Sequence, residues 1–390
     1  MKILFLIFGL FFINFSFAQV SNDYSAIDKK MDIIPDSFSE TTSGIATYIN
    51  TNFKTENEKI RAAFYWTSKN ISYDVANMYE PNFADSSQEK IIKTLKSRKG
   101  VCIHYAEVFN DIASKIGVKT YIIFGYTKQN AKIATISHAW CACKIDGKWF
   151  LFDPTWSAGY VTNNKYFKKI NNAYFKVEPS KMILTHMPFD YLWQFLSVPR
   201  TNQEFYSGKI EQGKSKENYD FVTEIDKYNE LSDGDKAFDC AERVEKNGLV
   251  NNLIVDYYNS KKKEFTAIRQ NNNVEKINQI VTDYNQAVGL LNDFIMYRNK
   301  SFKPTLSDAV IKEMIQTPLD KLVKCKNEIY AIGSIGSENT ASLNGLKKSI
   351  LDAVDQAEKQ SEFVKEYLSK GNGARKGMFK KVSWLGIPLR

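Results

Sequence analysis

A chain of 390 residues is too long for one ordinary hydrophobic core, and at roughly 150 residues per domain two domains are expected. Its hydrophobic content of 43% and aromatic content of 14% exclude a disordered chain. The formal charge of +9 comes from lysines scattered beside acidic residues, with one dense basic run from Arg375 to Lys381. Solvated helix faces account for that pattern better than a nucleic-acid surface, so no nucleic-acid partner is expected.

The chain starts with Met1-Lys2, an apolar run from Ile3 to Ile13, and small residues at Ser16 and Ala18. One positive charge, a short apolar stretch and small residues make a secretory signal peptide over residues 1–18, cleaved after Ala18. The run is too short to span a bilayer comfortably, and no later segment is long and apolar enough to do so. The expectation is a periplasmic or secreted protein without an integral membrane segment.

Helices are predicted over Thr41 to Phe53 and Asn57 to Asn70, the latter carrying Ile60, Ala63, Phe64 and Thr67 at helical spacing. Ile71-Ser72-Tyr73-Asp74 reads as a short extended piece. A polar linker through Pro81 and Ser87 leads to a helix from Gln88 to Lys96. The next helix begins at Cys102, with an apolar stripe of Ala106, Phe109, Ile112, Ala113 and Ile116, and Gly117 stops it. The period then becomes extended: strands are predicted over Thr120 to Tyr126, Ser137 to Ile145 and Lys148 to Phe152, the last two joined by an Asp146-Gly147 hairpin turn. A helix packed on an antiparallel sheet makes residues 19–200 an α+β domain. The segment with Pro179, His186, Pro188, Trp193 and Pro199 reads as irregular chain wrapped around it.

Beyond about Arg200 the stretches Leu231 to Lys246, Val250 to Gln270, Val274 to Arg298, Leu306 to Ile332 and Ser342 to Leu368 all place apolar residues every three to four positions. They predict an all-α bundle over residues 201–375, followed by a basic and aromatic tail over 376–390. The five cysteines are too few for a disulfide framework in this length, and an odd count leaves at least one thiol free. Cys102 is the natural free one. Cys141 and Cys143 share a strand face in the core, and Cys240 and Cys325 either pair or stay as buried thiols. Three histidines and no Cys-x-x-Cys unit give no expected metal site, and no cofactor is expected.

Cys102, His138 and Asp153 are the parts of a thiol nucleophile with an oriented base. At the first turn of a helix Cys102 meets unpaired N–H groups and the positive end of the macrodipole, which favour a thiolate. His138, on a strand packed against that helix, supplies the base. Asp153, at the end of the hairpin partner strand, holds its other nitrogen. Singly each has a bland reading: packing for the cysteine, a structural histidine beside Trp140, a turn starter before Pro154. Their order and placement together make the case. His104 is the competing base, but two positions along a helix it projects away from Cys102.

Gly100-Val101-Cys102 with Tyr105-Ala106, Ser137-His138-Ala139-Trp140, Asp146-Gly147-Lys148-Trp149 and Asp153-Pro154-Thr155-Trp156 resemble the transglutaminase-like superfamily of papain-related cysteine enzymes. Trp66, Asn70-Ile71 and Tyr73-Asp74 look like its lead-in. Thr185-His186-Met187-Pro188 with Trp193-Gln194 is similar to the branch of kyphoscoliosis peptidase and the fungal cytokinesis transglutaminase-like proteins. The likeness covers roughly Asn57 to Ser197. It implies Cys102 as nucleophile, His138 as general base and then acid, Asp153 as orienting carboxylate, and the Cys102 backbone N–H as an oxyanion donor. His104 stands where the family commonly has a small residue, which implicates it in substrate binding. Trp140 and Trp156 are the further substrate-binding candidates, although core or cleft wall is the commoner role for such rings. For His186 the likeness suggests a place near the cleft or a lock on the wrapping segment, and packing is the preferred reading.

The expected function is acyl transfer at peptide or protein amides through a thioester, with hydrolysis favoured over cross-linking because water is the abundant acceptor. The alternative is a non-catalytic scaffold that holds a partner in its cleft.

Overall fold

The structure is a computed structural model in which residues 24–79, 85–209 and 217–379 are described. The expected leader over 1–18 and the tail beyond Phe379 lie outside the described residues. The chain divides into two compact units. The first runs to Asp226 and includes Arg243–Tyr257; the second holds Lys227–Glu242 and everything from Tyr258 onward. This division departs from a boundary at residue 200 for a local reason. Asn202 is fully buried, accepts from the Tyr126 hydroxyl at 3.1 Å, and donates to the Gly248 carbonyl at 2.7 Å. Arg243 closes a two-pronged pair on buried Asp190, both contacts 2.8 Å.

The first unit opens with helices α1 (Ser25–Asp32), α2 (Asp36–Ser39), α3 (Thr42–Asn52) and α4 (Glu56–Asn70). Strand β1 (Ser72–Tyr73), α5 (Ser87–Ser97), β2 (Lys99–Gly100) and α6 (Cys102–Lys115) follow. The starts of α4 and α5 are written locally: Thr55 with Glu58, and Ser86 with Glu89, each form a reciprocal capping box that satisfies two orphan N–H groups. The sheet comprises β3 (Thr120–Gln129), β4 (Lys132–Ile133), β5 (His138–Ile145) and β6 (Lys148–Phe152), in the order β4-β3-β5-β6. Asp146 and Gly147 both take positive φ, 48° and 80°, as the tight hairpin turn between β5 and β6 requires. Helix α7 (Pro154–Ala158) leads into a hairpin of β7 (Gly159–Thr162) and β8 (Lys165–Lys168), which the sequence reading did not anticipate. Helix α8 (Pro179–Met182), strand β9 (His186–Pro188) and α9 (Asn202–Ser207) follow.

Helix α6 lies across the sheet. Its Tyr105, Ala106, Val108, Phe109, Ile112 and Ala113 are fully buried, as are Cys141 and Cys143 on β5. Phe64 of α4, Phe109 and Phe152 interlock with ring centroids between 5.5 and 5.9 Å apart. At a few kcal/mol for each buried aromatic or branched side chain, this contact fixes where the start of α6 stands over β5. The segment expected to be irregular contributes a real strand: β9 pairs antiparallel with β3 and sets Thr127 opposite His186. Gly125 permits it. A Cβ there would meet the Met187 carbonyl oxygen at 2.1 Å and Trp140 Cη2 at 2.5 Å.

The second unit is helical. Helices α10 (Phe221–Glu230), α11 (Asp233–Lys246) and α12 (Asn252–Asn299) each give residues to both units, whereas α13 (Asp308–Tyr330), α14 (Thr340–Ser369) and α15 (Asn372–Arg375) lie wholly in the second. Phe294, Phe302, Ile315, Leu322 and Ile350 lie in its core. The two helices predicted over Val250 to Arg298 are one helix of 48 residues. Asn271-Asn272-Asn273 lower helix propensity without breaking it, and Asn273 gains a 2.8 Å bond to the Ser334 carbonyl. Cys102, Cys141, Cys143 and Cys325 are free thiols, so no disulfide joins Cys240 to Cys325. Among the described residues no helix is long and apolar enough to cross a membrane.

Candidate active site

Cys102 is the first residue of α6, behind Val101, whose extended backbone forms the N-cap. The preceding Lys99-Gly100 pairs in parallel with Ser72-Tyr73, so a strand pair delivers the chain into the helix. Cys102 is half-buried and keeps exposed surface. As the first helical residue, it has a backbone N–H without an intrahelical acceptor.

His138 begins β5, and Asp153 follows the last residue of β6. The register pairs Cys141 with Phe152, and one further step sets Asp153 across from Trp140, on the face that Trp140 shares with His138. His138 Nε2 is 2.7 Å from Asp153 Oδ2. That engagement leaves Nδ1 as the free ring nitrogen, and Cys102 lies close enough to the ring to help raise its pKa. Burial alone would strip the imidazole of its proton. The Asp153 charge and hydrogen bond, with Cys102 adding to them, outweigh burial and push its pKa up to about 10.

Asp153 is fully buried, and burial opposes its ionisation. The charge and hydrogen bond of His138, then those of His186, overcome this and hold the carboxyl well below the usual carboxylate range. Oδ1 accepts the backbone N–H groups of Thr155 at 2.9 Å and Trp156 at 3.0 Å, making Asp153 the N-cap of α7, with Pro154 in the first helical position. Oδ2 receives a second imidazole: His186 Nε2 stands 3.1 Å from it. Thr185 Oγ1 lies 2.8 Å from His186 Nδ1. The network therefore assigns His186 as neutral, with Nε2–H donating and Nδ1 accepting from the hydroxyl. Burial drives its pKa down in the same sense. Sequence reasoning preferred packing for this histidine; the signal available was Thr185-His186 in a strand-length segment ending at Pro188.

The three substrate-binding candidates fall in different places. Trp140 is fully buried and forms the inner wall, its ring 6.0 Å from that of His138 and 5.1 Å from that of His186. Trp156 is half-buried and stands edge-on to His186 at 4.5 Å, so it is the one ring of the pair with surface to offer. His104 serves the start of α6: its Nδ1 accepts the Val101 N–H at 3.1 Å, and it does not join the His138–Asp153 cluster. Burial, then the charge of Lys90, lowers its pKa and favours that accepting form. A Cβ at Gly100 would lie 2.5 Å from His104 Cβ, so the small residue and the imidazole fit as a pair.

Tyr73 of β1 adds a half-buried phenol whose pKa is raised by burial and then by the nearby Cys102 and Asp153. The accessible edge of the site is thus Cys102, Trp156 and Tyr73. His138, Asp153 and His186 have potential ligand atoms within 4.8 Å of one another. Both Nε2 atoms are spent as donors on one carboxylate oxygen, and this is hydrogen-bond geometry, which metal ligation would have to dismantle. A cavity of about 470 Å³ between Glu40–Thr42 and α5 contains none of these residues.

The transglutaminase-like superfamily profile matches residues 43–154, which include the start of α6, β5, β6 and Asp153. Kyphoscoliosis peptidase from Mus musculus is 31% identical over 156 residues, which is 38% of this chain and 23% of that protein. Cytokinesis protein 3 from Saccharomyces cerevisiae is 30% identical over 91 residues, 21% of this chain and 10% of that protein. The chain thus covers less than a quarter of the length of these curated relatives. A crystal structure of a candidate protease from Parabacteroides distasonis is 16% identical and covers 33% of this chain and 25% of that one, with a TM-score of 0.22 that carries no argument. With the matched profile, a helix-plus-antiparallel-sheet domain and two curated relatives of the same kind, the chain carries a transglutaminase-like superfamily domain over residues 43–154.

Proposed function

We propose that this protein is an exported cysteine enzyme that transfers acyl groups from peptide or protein amides through a thioester. The observation that carries this reading is the arrangement of half-buried Cys102 at the start of α6, the His138 ring whose pKa it helps raise, and Asp153 2.7 Å from His138 Nε2. The Cys102 sulfur attacks the amide carbonyl carbon, and the carbonyl electron pair moves onto oxygen beside the Cys102 backbone N–H. Collapse breaks the C–N bond, and the proton on His138 leaves with the amine. Water then attacks the thioester, His138 takes the proton from water, and C–S cleavage releases the acid and restores the Cys102 thiolate beside the reprotonated ring. An amine in place of water gives transamidation by the same steps. Hydrolysis is the favoured outcome because water outnumbers any amine outside the cell, and the apolar leader followed by Ser16 and Ala18 supports export.

The test uses the full chain beside Cys102→Ala and His138→Ala. Iodoacetamide at pH 6 should label Cys102 far faster than the other four thiols, and His138→Ala should abolish the difference. Cleavage of a mixed peptide pool, with and without added amine, should vanish in Cys102→Ala, and the products distinguish hydrolysis from amine transfer. Labelling of Cys102 no faster than in a urea-unfolded sample would sink the enzyme reading.

A further inference from the structure

Asp153 is held from more directions than a carboxylate that orients one histidine requires. Two backbone N–H groups occupy Oδ1, and two imidazoles converge on Oδ2. The four acceptor positions of the carboxylate are then filled, leaving no place for water. The second imidazole comes from β9, outside the sequence that matches the family profile. It is 1% exposed and enclosed by the rings of Trp140, Trp156 and Tyr174, at 5.1, 4.5 and 5.8 Å. In such dry surroundings a hydrogen bond to a charge is at its strongest and an unfilled one is most costly.

We infer that His186 is a positioning residue, whose Nε2–H fixes Asp153 Oδ2 so that the carboxylate stays ionised and turned toward His138. Thr185 belongs to the device: the carboxylate only accepts, so it takes the Nε2–H, and the Thr185 hydroxyl, 2.8 Å from Nδ1 and 3.4 Å from the Met182 carbonyl oxygen, can donate to the nitrogen that is left. Strand β9 acts as a strap: its pairing with Gly125, Tyr126 and Thr127 of β3 delivers the imidazole to the carboxylate. The catalytic consequence rests on the acyl-transfer reading, whereas the hold on Asp153 does not. The other titratable groups whose fields reach Asp153 are Tyr73 on β1, Tyr105 on α6, Cys141 on β5 and Tyr174 in the loop before α8, with Cys102 joined through His138. Besides the two histidines none of these is basic, so His186 is the second side-chain donor that favours the ionised form.

The experiment follows the Asp153 carboxyl by carbon NMR in full-length protein labelled at aspartate, with Asp153→Asn identifying the signal. Wild type, His186→Gln, His186→Leu and Thr185→Val are titrated toward acid. Wild type should hold Asp153 ionised well below the usual carboxylate range. Losing the donor in His186→Leu should raise the midpoint by at least about one pH unit, the scale of one hydrogen bond to a charge. His186→Gln, whose amide N–H reaches the same place, should stay near wild type, and Thr185→Val should fall between. An unchanged midpoint in a folded His186→Leu, or a shift in His186→Gln as large as in His186→Leu, overturns the inference. If His186→Leu does not fold, Thr185→Val decides: an upward shift supports the hold and no shift overturns it. Alkylation of Cys102 in the same samples should lose rate at higher pH as the Asp153 midpoint rises. A wild-type Cys102 that reacts as slowly as in urea defeats the enzyme reading alone, and the carboxyl titration still judges His186.

Discussion

His138 and Asp153 are diagonal neighbours at the open end of the β5–β6 ladder, and their 2.7 Å contact follows from the register that the Asp146-Gly147 turn sets. Because side chains alternate faces, a slip of one residue in that hairpin would send Asp153 to the opposite face from His138. Replacing the charge without moving the chain isolates what this pairing does. Asp153→Asn keeps the size but presents an amide to two imidazole donors, so one of them loses its acceptor or changes tautomer. Cys102 alkylation and any peptide cleavage should fall by about 10²- to 10⁴-fold, the range seen when a base is held in the wrong tautomer. Urea unfolding should show a loss of about 3 kcal/mol from the unmatched buried donors. A variant within threefold of wild type in alkylation would show that the carboxylate does not orient the base.

Much of this arrangement was legible in the sequence, and the parts that were not share a cause. The apolar stripe of α6, the alternation along β5 and the Asp146-Gly147 turn are local signals, and together they set Cys102, His138 and Asp153 near one another. Strand β9 is three residues long, too short for periodicity to show, and it exists because Gly125 lets another backbone approach β3. His186 therefore looked like packing until a non-local pairing placed it on Asp153. The β7–β8 hairpin escaped for a similar reason. Its turn is Asn163-Asn164, both with positive φ, and its strand β8 is pinned by Lys168, whose ammonium caps the carbonyls at the end of α4. His104 reads in the sequence as a competing base and a substrate contact, whereas its Nδ1 accepts the N–H of the residue three positions before it, a local bond that leaves no pattern of its own in the sequence.

The raised pKa of His138 makes a prediction about stability. A group whose folded pKa lies above its unfolded value of about 6.5 contributes stability that is full below pH 6.5. For His138 that contribution is lost as pH rises through about 10. Lys168 works in the opposite sense, since burial, then the charge of Lys69, lowers its pKa to about 8, and its cost fades as pH rises. The difference between wild type and His138→Gln removes that background. Urea unfolding at a series of pH values should show the advantage of wild type shrinking steadily from pH 6.5 to 10. A difference that is flat across that window would mean that His138 is not held as an imidazolium.

Gly125→Ala should loosen β9 while leaving every side chain of the site in the sequence. The new methyl would meet the Met187 carbonyl oxygen at 2.1 Å and Trp140 Cη2 at 2.5 Å, and a carbonyl in a strand ladder cannot swing aside. Overpacking of this kind costs about 1–3 kcal/mol. Hydrogen exchange should rise in the peptide spanning 185–190 more than in β5 or β6. The acid limb of Cys102 alkylation should move up toward that of His186→Leu. Faster exchange spread evenly over the whole sheet would contradict a strap that acts through β9 alone.

The capping role of His104 predicts a stability effect with its own pH dependence. His104→Ala leaves the buried Val101 N–H without its acceptor at the start of α6, a loss of about 1 kcal/mol for a helix cap. His104→Asn places an oxygen near the former Nδ1 and should recover most of that loss. Because burial depresses the His104 pKa, the stability it contributes is full above the unfolded value of about 6.5 and is lost as pH falls through the lower folded value. Protonation puts a hydrogen on Nδ1 and turns the acceptor into a second donor facing Val101. The gap between wild type and His104→Ala in urea unfolding should therefore be widest at pH 7 to 8 and close toward acid, while wild type and His104→Asn diverge there in favour of the asparagine. A gap that persists unchanged at pH 4 would show that the imidazole stabilises the helix start by packing against Gly100 and not by accepting the Val101 N–H.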